Sequence, residues 1–134
     1  MVLCDGTSNA SRVAADLLAQ AEHDPDAQAI AVTDDAAFAE ALAAEVDRQL
    51  ALLPTGAIAA ASIERHGAIV VVKDRAAMVA AANDRAPEHL EVCADRPDEL
   101  AAQCTAYGGL FIGSDAAEVL GDYCTGPSHV LPTG

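Results

Sequence analysis

Short apolar runs separated by stretches of helical periodicity constrain this chain more than any other feature. Ala68 to Val72 reads Ala-Ile-Val-Val-Val, a continuous run of the kind that forms a strand buried on both faces of a parallel sheet. Val2 to Cys4, Gln28 to Thr33, Leu90 to Val92 and Leu110 to Ile112 are further strand candidates. Between them the apolar spacing switches to three or four. Ser8 or Asn9 can cap a helix with the stripe Val13, Leu17 and Ala21, which stops before Pro25. Asp34 or Asp35 opens a longer one along Phe38, Leu42, Val46, Leu50 and Leu53. Pro54-Thr55 begins a helix through Ile58 and Ile63 that Gly67 closes, and Asp74 caps one carrying Met78, Val79 and Ala82. Pro97 to Cys104 and Ser114 to Leu120 complete the set. This alternation predicts an α/β fold: three layers around a mostly parallel sheet, an incomplete Rossmann-like domain of the doubly wound type over residues 1–134.

A chain of 134 residues makes one domain, burying roughly two-thirds of its unfolded surface. Hydrophobic residues are 52% but aromatics only 3%, so the core must be built from Ala, Val, Leu and Ile. No apolar run approaches the ~20 residues of a membrane span, and Met1 to Asp5 has no basic region to mark a signal peptide. No membrane partner and a cytoplasmic location are therefore expected. A net charge of -14 with the single lysine Lys73 argues against nucleic acid, whose phosphates need clustered cations. Cys4, Cys93, Cys104 and Cys124 have no C-x-x-C spacing and are expected to be reduced thiols.

Three short motifs carry titratable groups. Asn83 to Val92 reads Asn-Asp-Arg-Ala-Pro-Glu-His-Leu-Glu-Val. Pro87 should end the preceding helix near Arg85 and bias Ala86 to extended backbone, leaving Glu88 and His89 at the mouth of a strand. A carboxylate beside an imidazole can move protons near neutral pH; taken alone, it is also an ordinary surface pair. Gln20 and His23, three apart at the end of the first helix, could grip one ion, or His23 could simply complement the helix dipole. Gly121 to His129 is a glycine-rich loop with Asp122 and His129, a ligand loop or only a turn. Topology joins them. In a parallel sheet each helix runs back, so His23, Glu88-His89 and Asp122 should all lie along the amino edge of the strands, opposite to the usual carboxyl-edge site. The chain also lacks G-x-G-x-x-G.

Val13 to His23, Ala86 to Val92 and Gly121 to Thr133 resemble histidinol dehydrogenase, in that family's order and over essentially the whole chain. The resemblance implies a zinc- and NAD-dependent oxidation of L-histidinol, through the aldehyde, to L-histidine. Carried over position by position, Gln20, His23 and Asp122 match zinc ligands that also hold substrate, Glu88 and His89 the acid–base pair, and His129 a substrate contact. His89 would take the alcohol proton and Glu88 help activate water. Zinc in that family orients the substrate, an effect worth several kcal/mol.

The match is to a middle section of longer family members. NAD-contacting residues, a fourth zinc ligand from a homodimer partner, and a substrate-contacting serine are expected on other segments. The chain alone is expected to hold zinc weakly or not at all and to be inactive without those segments. Two other readings stand beside this one: a non-catalytic Rossmann-like folding unit, and a zinc/NAD dehydrogenase for another small alcohol. Without its partner segments, the first strand is expected to be a bare edge or an apolar patch that invites self-association.

Overall fold

Asn9, Asp35 and Asp74 each turn a side-chain oxygen back onto the backbone N–H groups of the helix that follows. This satisfies donors that a helix leaves unpaired at its start, and it fixes where three helices begin. The computed structural model describes residues 1–54, 56–114 and 116. Its elements run β1 (Val2–Cys4), α1 (Ala10–Ala21), β2 (Ile30–Thr33), α2 (Ala36–Leu50), α3 (Gly56–His66), β3 (Ala68–Val71), α4 (Arg75–Arg85), β4 (His89–Val92), α5 (Pro97–Ala101) and β5 (Gly109–Ile112). The described strands form one sheet in the order β3-β2-β1-β4-β5, and every neighbouring pair is parallel.

The two-residue period of the strands sorts the core into two halves. Val2, Cys4 and Ala31 face α1, α2 and α3, packing with Val13, Leu17, Phe38, Leu42 and Ala59. Leu3, Val32, Leu90 and Val92 face the other way, towards Met78 and Ala82 of α4 and Leu100 of α5. The result is the expected three-layer α/β arrangement. Truncating a fully buried member such as Leu3 or Leu42 to alanine should cost about 2–5 kcal/mol.

Several expectations change on contact with the structure. β3 is not buried on both faces: it is an edge strand, with Val70 40% and Val71 51% exposed. β-branched composition signals a strand, but the number of neighbours is set by the order of strands in the sheet. For the same reason β1 is not a bare edge; it sits centrally between β2 and β4. The edges are β3 and β5. α5 stops at Ala101 rather than Cys104, its last carbonyls taken up by the turn through Gln103 and Cys104. α3 does end where Gly67 follows it. A side chain there would bring its Cβ within 2.7 Å of the Ile63 carbonyl oxygen. The helix expected over 114–120 lies largely outside the described residues.

Candidate active site

The chain between α4 and β4 is held in an unusual conformation. Ala86, the residue after Arg85, is left-handed, at φ 47° and ψ 61°, and its N–H bonds the Ala82 carbonyl at 2.9 Å. Pro87 was expected to make Ala86 extended. Proline does exclude the right-handed helix from the residue before it, but the capping bond to α4 selects the left-handed basin instead. The turn is then pinned to the start of β5, as Gly108 N–H donates to Pro87 O at 3.0 Å and Gly109 N–H to Glu88 O at 2.7 Å. This leaves Glu88 half-buried and His89 buried as the first residue of β4.

Because α1 runs back along the sheet, its C-terminal end arrives at the same edge. Gln20 lies in its last turn, and His23 follows in the loop, exposed, its N–H 3.4 Å from the Gln20 carbonyl oxygen. The two therefore do not share a helix face as the spacing suggested, yet both reach one cleft. That cleft, about 630 Å³, is lined by Gln20, His23, Arg85, Glu88 and His89 among others. Arg85 is oriented by a hydrogen bond to the Gln28 side chain.

His89 is gripped from both ring nitrogens. Nδ1 lies 3.2 Å from the Gln20 Oε1 and Nε2 3.4 Å from the Glu88 Oε1. An amide oxygen can only accept, so in the neutral ring, with Gln20 in this orientation, Nδ1 carries the proton and Nε2 is the basic nitrogen. Should Nε2 gain a proton, the Glu88 carboxylate is in place to stabilise the imidazolium. The ring edge also meets Phe111, with centroids 5.9 Å apart at 74°, and a Cβ on Gly109 would lie 3.6 Å from its Cδ2. Packing and hydrogen bonds together leave the imidazole little freedom.

Behind His89, on the same face of β4, sits Glu91, only 3% exposed. Burial pushes its carboxyl up from 4.5 to about 7 against the hydrogen bond from Cys93, with the Asp16 carboxyl, to which it is hydrogen-bonded, raising it further. Cys93 Sγ donates to Glu91 Oε1 at 2.9 Å. Burial and the carboxyl groups around them raise the thiols as well, Cys4 to about 12 and Cys93 further. Cys4, Cys93 and Cys104 are thus free, buried and protonated, which makes them structural rather than nucleophilic.

The structure brings Gln20, His23, Glu88 and His89 together at the amino edge. Asp122, His129 and Cys124 lie outside the described residues. Among the described residues, no group of three or more His, Cys, Asp or Glu side chains could hold a metal ion. Sequence reasoning missed Glu91, Asp16 and the direct Gln20–His89 contact. One signal was present: His89, Glu91 and Cys93 alternate with Leu90 and Val92, putting a polar row on a single face of a strand.

The comparisons with known proteins bear on the same residues. A family model described as histidinol dehydrogenase matches residues 1–134. The chain belongs to the histidinol dehydrogenase family. It is 53% identical over 131 residues to the histidinol dehydrogenase of Nitratidesulfovibrio vulgaris, covering 98% of this chain and 30% of the relative. To histidinol dehydrogenase 1 of Trichormus variabilis it is 45% identical over 133 residues, covering 99% of this chain and 31% of the relative. The crystal structure of histidinol dehydrogenase from Elizabethkingia anophelis superposes with a TM-score of 0.92 at 36% identity, over 98% of this chain and 30% of that one. The chain therefore spans about 30% of the length of the relatives it matches. No helix among the described residues is long and apolar enough to cross a membrane.

Proposed function

We propose that this chain is the base-bearing part of an enzyme that oxidises L-histidinol to L-histidine with NAD. The reading rests on one observation: His89 is fixed with Nδ1 on Gln20 and Nε2 beside Glu88 inside the amino-edge cleft. In the first oxidation the alcohol O–H gives its proton to His89 Nε2 as the carbon loses a hydride. In the second, water adds to the aldehyde; Glu88, on the cleft side of the imidazole, helps remove the water proton. The resulting hydrate anion then loses a second hydride and its remaining hydroxyl proton to give the carboxylate. NAD, when bound, supplies the hydride acceptor, and its contacts are expected on segments other than this chain. General-base help of this type is worth about 10²–10⁴-fold.

The described residues fit half of a zinc site. Gln20 and His23 both line the cleft and carry an oxygen and a nitrogen donor, the Gln20 oxygen also lying 3.2 Å from His89 Nδ1, whereas zinc takes about four ligands. Asp122 is the third donor by the family's motif, and His129 the substrate contact. Zinc, when bound, would orient the substrate's polar end. A homodimer and the remaining segments of the enzyme would complete the site. The expected localisation is cytoplasmic.

Two measurements test this. Combining the chain with the segments that complete its relatives, histidinol, zinc and NAD should yield NADH. A folded mixture yielding none would count against the reading; turnover of other small alcohols in preference would favour a different substrate. Calorimetric zinc titration of the same mixture should lose its binding heat on His23→Ala. Unchanged zinc binding would remove His23 from the ligand set.

A further inference from the structure

Asp16 and Gln20 are four apart on α1, and His89 and Glu91 are two apart on β4. Four residues of helix rise about 6.0 Å and two of strand about 6.6 Å. α1 runs antiparallel to β4, so this near-match lets two rungs form at once: Gln20 on His89 at 3.2 Å, and Asp16 on Glu91 through a carboxyl–carboxyl hydrogen bond. All four side chains line the same small void, of about 10 Å³, at the floor of the cleft. A carboxyl–carboxyl bond exists only while one of the two holds a proton. Cys93 on the same strand donates to Glu91 as well. Among the described residues, the groups facing Glu91 also include the Cys4 thiol of β1 and the α-ammonium of Met1, which favours the carboxylate.

We propose that Asp16 and Glu91, sharing one proton, are positioning residues for His89, setting the register of α1 on β4 so that Gln20 holds the imidazole in its Nδ1–H tautomer. This rests on the reading of His89 as the base, because that tautomer is the one that leaves Nε2 basic. Once the shared proton is lost, two carboxylates face each other in a buried gap. The α1 rung then loosens, and the tautomer is no longer held.

The test uses the intact protein with ¹⁵N-labelled imidazole, in native, Glu91→Gln and Glu91→Ala forms, from mildly acid to mildly alkaline pH. In the native protein, neutral His89 should carry its proton on Nδ1 at the acid end and lose that preference as the pair ionises. Glu91→Gln should hold the preference throughout, since an amide donates to the Asp16 carboxylate without a titrating proton. Glu91→Ala should lose it throughout, with kcat for histidinol falling on the order of 10²-fold, KM nearly unchanged, and activity restored in Glu91→Gln. A folded Glu91→Ala that keeps the Nδ1–H signature overturns the proposal. Should Glu91→Ala fail to fold, identical pH behaviour in the native and Glu91→Gln proteins overturns it instead. If no form produces NADH, the functional reading fails, while the nitrogen spectra still decide the positioning role.

Discussion

The two edges of the sheet use their polar groups in opposite ways. At the carboxyl edge, Asp5 follows β1 at the point where strand order reverses, the place where doubly wound sheets usually bind ligands. Here its carboxylate is spent on the protein itself. Oδ1 accepts from the Thr7 N–H at 2.9 Å and the Thr7 hydroxyl at 2.6 Å, Oδ2 accepts from the Asp95 N–H at 2.8 Å, and Arg75 lies 3.5 Å away. Ser8 Oγ adds a bond to the Cys93 carbonyl at 2.8 Å. At the amino edge, by contrast, Gln20, His23, Glu88 and His89 surround open space. One edge staples β1 to β4, and the other is left open. A doubly wound topology therefore does not dictate which edge is left open; the side chains at the switch point do.

The contrast is broken most severely at His89. His89→Ala in the completed enzyme should lower kcat by about 10²–10⁴-fold, while circular dichroism of the chain stays native. Retention of full turnover would move the base elsewhere. The opposite signature is expected at Asp5. Asp5→Ala leaves the Asp95 and Thr7 N–H groups without their acceptor, and hydrogen bonds to a charged group are worth about 1.5–3 kcal/mol each. A loss of about 3 kcal/mol in urea denaturation is expected, with the Gln20–His89 contact intact. If imidazole spectra of His89 change as much as stability does, the two edges are coupled and the contrast is false.

The edges also respond to pH with opposite sign. Burial raises the Asp5 carboxyl, but the Thr7 hydroxyl, the backbone N–H groups of Asp95 and Thr7, and Arg75 outweigh it and hold it below 3.8. An acid depressed in the folded state stabilises above its unfolded value, and that stability is lost as pH falls through the folded one. Glu91, raised from 4.5 to about 7 chiefly by burial, does the reverse. Between those limits the folded protein holds a proton that the unfolded chain has released, so stability declines as pH rises, by about 1.4 kcal/mol for each pH unit. Thermal midpoints should therefore fall between pH 4.5 and about 7, and Glu91→Gln should flatten that slope. A native profile that is flat or rising across the window would show that Glu91 is ionised in the fold.

Much of this was legible in the residues. Caps at Ser8 or Asn9, at Asp34 or Asp35 and at Asp74, the stripe from Phe38 to Val46, and the run at Ala68 gave the elements, because each rests on local chemistry. Their alternation then implied that the C-terminal end of α1 meets the start of β4, so Gln20, His23, Glu88 and His89 could be grouped before any coordinates were known. Some of what failed was local, such as the cap bond that makes Ala86 left-handed; the larger misses depend on non-local neighbours. The exposure of β3 and the central place of β1 follow from strand order, which Val70 or Val2 cannot encode. Glu91 read as one more residue of an apolar strand. Its significance appears only when Asp16, 75 positions earlier, is set opposite it.

The smallest effect concerns backbone strain, and it sharpens the comparison because, among the described residues, each edge has one left-handed non-glycine residue. Ala86 leads into Glu88 at the amino edge, and Arg96, at φ 46°, opens α5 beyond the carboxyl edge. The left-handed basin costs an L-residue about 1–2 kcal/mol, and glycine relieves this while adding some freedom to the unfolded chain. Both Ala86→Gly and Arg96→Gly should therefore stabilise, each by about 0.5–1 kcal/mol in thermal or urea denaturation. The arginine variant also gives up the Arg96 bonds to Asp95 at 3.3 Å and Glu99 at 3.0 Å, exposed pairs of small worth. The variants should separate in function. Glycine at 86 lets the Pro87-Glu88 turn sample other directions, so the completed enzyme should lose kcat as it gains stability; glycine at 96 should leave kcat where it was. Equal kinetics in the two variants would mean that the conformation of Ala86 serves only to end α4.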